Sequence, residues 1–143
     1  MNAHYVLKAE TGYYNSSPDA FRLWAKHYYQ CRLSFQYSDP FSPVPYFLLC
    51  RAIELQFKAV HLEVQRQAQV KKSFGHNLVK SYSALPAAYQ TLSPEQFSLL
   101  DRANKIYSSK GFEYMNVGDA LRGFSNFPDL QALDALTEAL LGR

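Results

Sequence analysis

Between Pro45 and Gln67 the residues Arg51, Glu54, Lys58, His61 and Gln65 recur at spacings of three and four, so on a helix each side chain reaches the next. Glu54 lies four residues ahead of Lys58, the favourable order for an acid and a base on one helix face. Such a line is either a solvated strip that fixes helix register or the wall of a pocket where an acid, two bases and a histidine meet a ligand. His76 follows Gly75 in the run Phe74-Gly75-His76-Asn77, a turn into a helix, where an imidazole can bond a carboxylate from the preceding helix. Its near-neutral pKa suits acid–base work, and the same position can equally do no more than anchor the turn. Lys71 and Lys72, with Arg66 nearby, make a local basic spot that a solvated loop would also explain. The candidate ligand site is therefore Arg51, Glu54, Lys58, His61, Lys72, His76 and Asn77.

Other chemistries find less support. The four histidines, His4, His27, His61 and His76, are dispersed, and neither C-x-x-C nor H-E-x-x-H spacing occurs, so no metal is expected. Glycine-rich phosphate loops are absent, which leaves nucleotide binding to another mode and gives no cofactor to expect. There is no G-x-S-x-G elbow, and Cys31 and Cys50 fall on apolar helical strips, which predicts buried, inert, unbridged thiols. A net charge of +3 is too small to imply nucleic-acid binding by itself. The N-terminal ten residues carry Asn2, His4, Lys8 and Glu10 where a signal peptide needs an apolar run, and no eighteen apolar residues are consecutive. A cytoplasmic protein without a membrane span is the expectation.

The elements that must position these residues are helical. A chain of 143 residues with eleven tyrosines and ten phenylalanines can enclose one core, so a single domain over residues 1–143 is expected. Residues 1–16 show no period and read as an irregular arm. Ser17-Pro18-Asp19 supplies an N-cap, a first-turn proline and an acid for a first helix with Phe21, Trp24, Ala25, Tyr28, Cys31 and Phe35 inward. Three prolines between Asp39 and Pro45 make a stiff connector. The second helix, about Pro45 to Gln67, carries two apolar strips. One is Tyr46, Leu49, Cys50, Ile53, Phe57, Val60 and Val64, and the other Leu48, Ala52, Leu55, Ala59 and Leu62, so it must be covered on two faces. A third helix has Leu78, Val79, Tyr82 and Leu85 inward, and Pro86 ends or kinks it. Ser93-Pro94-Glu95-Gln96 is a capping box that opens a fourth. Phe112 to Phe127 reads as an irregular crossover with one helical turn near Asp119 to Arg122, and Pro128-Asp129 starts a last helix. The fold class is all-α, an antiparallel up-and-down helical bundle of four principal helices plus a C-terminal one.

Two segments carry a resemblance. Ala52, Glu54, Leu55, Lys58 and Ala59 match a helix of the type A-x-E-L-x-x-K-A, and Gly75, His76, Asn77 and Leu78 match G-H-[DN]-L opening the next helix. In this order the pair resembles one bacterial branch of the HEPN domain superfamily, over roughly residues 20–115. The resemblance implies an antiparallel helical bundle and a homodimer, and many such domains are metal-independent ribonucleases using an R-x(4-6)-H motif late in the bundle. No histidine follows His76 here, so Arg102 and Arg122 have no partner for that motif. Its one formal match, Arg22-x4-His27, sits on the first helix with the side chains about 140° apart. The reading that results is a non-catalytic HEPN-like module that binds RNA or protein, in a bacterial defence or toxin–antitoxin setting. The alternatives are a divergent ribonuclease using His76, or His27 with Arg22, with Arg51 or Lys58 stabilising phosphate charge, and a purely structural interaction domain with an exposed apolar patch.

Overall fold

Ser17 opens the first helix of the computed structural model, which describes residues 17–142. Its side chain accepts the Ala20 amide, Pro18 fills the first position, and α1 runs Pro18–Ser34. The remaining elements are α2 (Val44–His61), α3 (Gln67–Phe74), α4 (Leu78–Ser83), a 3-10 turn (Ala87–Tyr89), α5 (Pro94–Tyr107), α6 (Val117–Leu121) and α7 (Leu130–Leu141). Among the described residues the fold is all-α, with no strand, and no helix is long and apolar enough to cross a membrane. The expected arm at 1–16 lies outside the described residues.

α2 packs against α1, α4, α5 and α7. Both of its apolar strips are used: Leu49, Cys50, Ile53 and Phe57 enter the main core, while Ala52, Leu55, Ala59 and Leu62 are buried on the other side. Glu54, on the polar line between the strips, is itself buried.

The α2 boundary differs from the expected one. The helix stops at His61, and a turn through Leu62–Gln65 redirects the chain, so Val64 is 83% exposed rather than part of the strip. The polar, basic stretch after it, expected as a connector, folds as α3. Its single fully buried side chain, Val70, anchors it with Phe74 one turn on, and two large apolar residues among eight make too short a period to read.

α1 differs too. Only Ala25 is buried, Trp24 is 61% exposed, and Cys31 is an exposed free thiol while Cys50 is a buried one. The helix turns Phe21 and Ala25 inward, holds Tyr28 half-buried at the edge, and leaves Trp24 and Cys31 outward. Arg32 donates to both carboxylate oxygens of Asp134 on α7, at 2.9 and 2.7 Å.

α5 carries the complete capping box of Ser93 and Gln96. Beyond it Lys110 takes a positive φ, and Gly111 passes so close to Ile106 that an added Cβ would stand 2.6 Å from its side chain. The crossover that follows contains α6, near the helical turn expected there. Its phenylalanines form one cluster: Phe124 stacks on Phe41 and Phe112 on Tyr46, while Phe127 meets both Phe41 and Tyr46 edge-on. Asp129 caps α7, which buries Leu133, Leu136 and Leu140.

Candidate functional site

Glu54 is 2% exposed and accepts hydrogen bonds from four side chains. Its Oε1 takes His76 Nδ1 at 2.7 Å and the Tyr107 hydroxyl at 2.9 Å, while its Oε2 takes Arg51 Nη1 and Lys58 Nζ, each at 3.2 Å. Local sequence explains the arrangement. Arg51 and Lys58 lie three residues before and four after Glu54 on α2, within reach on one face. Gly75, at φ 51°, turns the chain out of α3 so that His76 comes back over α2, and α5 delivers Tyr107 at its last turn.

A carboxylate needs this many donors when water is excluded, since each unpaired lone pair would cost desolvation energy. Burial, reinforced by the Glu54 charge, raises the Tyr107 phenol well above its ordinary range, so it stays a donor. Burial works against the Arg51 guanidinium, but the Tyr107 hydroxyl and the Glu54 charge outweigh it and hold the proton more firmly than usual.

The same network forms one wall of a cleft of about 390 Å³ between α1, α2 and α3. Arg51, Glu54, Lys58 and His76 line it with Lys71, and Leu55, Leu62 and Val70 make its floor, with Phe21 of α1 at the side. One carboxylate faces three permanent cations. The cleft therefore carries two positive charges in excess before His76 is counted. Lys71 is exposed and, among the described residues, holds no ion pair.

Of the sequence candidates, Arg51, Glu54, Lys58 and His76 meet here. His61 does not: it is buried elsewhere, donates Nε2–H to the Ser81 carbonyl at 2.9 Å and stacks on Phe74, joining α2 to α3 and α4. Burial lowers its pKa, partly offset by that carbonyl, so it is a neutral structural group. Asn77 caps α4 through the Lys80 amide and bonds Asn104, whose own side chain accepts the Leu78 amide at 2.7 Å. Lys72 is exposed and does not line the cleft, whereas its neighbour Lys71 does. Arg22 pairs with Glu63 and Asp19, and His27 stands on the outer face of α1 beside Trp24, Tyr28 and Cys31, so the two share no site.

Sequence reasoning missed three members of the site. Tyr107 and Phe21 look like ordinary core positions of their helices, and choosing between Lys71 and Lys72 needs the helical phase of α3. Among the described residues no three His, Cys, Asp or Glu side chains group as a metal site. Compared with known proteins, the chain matches no family model, no curated protein and no solved structure.

Proposed function

We propose that this protein is a non-catalytic, HEPN-like RNA-binding module whose ligand site is the cleft walled by Arg51, Lys58, Lys71 and His76. The observation that carries the reading is the charge imbalance around Glu54: one buried carboxylate organises Arg51 and Lys58, and with Lys71 leaves the cleft cationic. Positive charge focused in a low-dielectric cleft attracts phosphate, and the Phe21 ring supplies a face for a base. Glu54 is the organiser and does not meet the ligand, being saturated by its four donors. The antiparallel bundle topology, the homodimer and the bacterial defence setting implied by the HEPN resemblance belong to the same proposal.

A second reading has one observation in its favour. His76 gives Nδ1 to Glu54, and its half-exposed ring leaves Nε2 without a partner among the described residues, the orientation of a histidine held for general acid–base work. No nucleophile or second acid accompanies it in the cleft lining. Incubating the protein with cellular RNA in the presence of a chelator separates the two. RNA retained and recovered intact supports the binding module. Cleavage abolished by His76→Ala in a folded variant overturns it in favour of a metal-independent ribonuclease, and RNA neither bound nor cut removes both.

A further inference from the structure

The cleft's size and charge say which part of an RNA it takes. We infer that it reads a strand end, holding one terminal nucleotide by its phosphomonoester rather than gripping the internal backbone; this rests on the RNA-binding reading above.

Charge favours an end. An internal phosphodiester carries one negative charge, whereas a terminal phosphomonoester carries about 1.5 to 2 near neutral pH. The cationic excess of two from Arg51, Lys58 and Lys71 over Glu54 matches the dianion and overcompensates the monoanion. These cations come from different directions, Arg51 and Lys58 from one turn-separated face of α2 and Lys71 from α3, as needed to surround a tetrahedral group with several free oxygens. Donor capacity remains there: Lys58 Nζ gives one of its three N–H groups to Glu54, and the five-donor Arg51 guanidinium serves Glu54, Tyr107 and Tyr28.

Size favours an end as well. A continuous strand is bound in open grooves that track its backbone over several nucleotides. Here the cleft between α1, α2 and α3, partly open to solvent, holds about 390 Å³, room for one nucleotide unit rather than a run of several. The floor of Leu55, Leu62 and Val70 is apolar, with Phe21 beside it, so the cationic wall takes the phosphate and the apolar side takes the base.

The test is competition against a labelled single-stranded RNA by one decamer prepared four ways, with a 5′-phosphate, with a 3′-phosphate, with hydroxyls at both ends, and circularised, together with adenosine monophosphate. A phosphorylated end is expected to compete at least about tenfold better than the circle, equivalent to one extra charge contact of about 1.4 kcal/mol, and Lys71→Gln to erase that preference. Which of the 5′ and 3′ forms wins identifies the end. If adenosine monophosphate binds and no RNA does, the phosphomonoester site stands and the RNA reading falls. If the circle competes as well as the phosphorylated strands, the end-reading inference is overturned while RNA binding survives. If nothing binds, both fall. Lys71 is exposed and holds no ion pair among the described residues, so Lys71→Gln is expected to keep the wild-type urea midpoint, which separates a lost preference from a folding defect.

Discussion

His76 Nδ1 stands 2.7 Å from Glu54 Oε1, tying the turn before α4 to the middle of α2 across twenty-two positions of sequence. With Tyr107 on the same oxygen, three separate parts of the chain converge on one carboxylate. The carboxylate is thus both a structural keystone and the group that aims Arg51 and Lys58 at the cleft.

Replacing Glu54 by Gln leaves two partly buried cations beside a neutral amide that cannot balance them. Removing one member of a buried ion pair costs about 3–5 kcal/mol, and a loss in that range is expected in the urea midpoint. A change below about 1 kcal/mol, the range of exposed pairs, would show that Glu54 is solvated in solution. His76→Ala is expected to cost less, because the imidazole is half exposed.

Tyr107→Phe removes one donor to the same carboxylate without changing the packed ring. Hydrogen bonds to charged groups contribute about 1.5–3 kcal/mol, and a loss of that size is expected by chemical denaturation. In a Glu54→Gln background it is expected to shrink, since the coupling requires the charge.

His61 gives the stability a pH dependence. Burial lowers its folded pKa below the ordinary 6.5, so between the two values the unfolded chain binds the extra proton. The stabilisation is whole above the unfolded value and is lost as pH falls through the folded one. Wild type is therefore expected to lose more stability than His61→Gln between about pH 7.5 and about pH 5.5; equal slopes in the two proteins would contradict a buried neutral His61.

The two thiols are expected to behave oppositely. Burial, with the Glu54 charge nearby, pushes the Cys50 thiol far up, while Cys31 is exposed on α1. A disulfide reagent should modify one thiol rapidly in the native protein and the second only on unfolding, with Cys31→Ser abolishing the fast phase.

Much of this architecture is legible in the residues. Ser17, Ser93 and Asp129 announce their helices because caps act locally, through side chains that bond amides a few positions away. The ion-pair line on α2 is legible for the same reason, since three- and four-residue spacings are helix neighbours whatever the fold. What escapes is tertiary. Nothing in the spacing says that Tyr107 points its hydroxyl at Glu54 rather than elsewhere, or that His61, in phase with Lys58, is carried past the cleft to the Ser81 carbonyl. α3 escapes because its stability comes from docking Val70, and Cys31 is misread because an apolar period on α1 does not say which side has a neighbour.

The most direct test of the cleft as a phosphate site is the salt dependence of single-stranded RNA binding by wild type and Lys71→Glu, followed by anisotropy. Each phosphate contact contributes about 0.7 to the slope of log affinity against log salt for single strands. Weaker binding and a slope shallower by at least about that amount in Lys71→Glu are expected. Identical affinity and slope in the two proteins would contradict the assignment of this cleft to RNA.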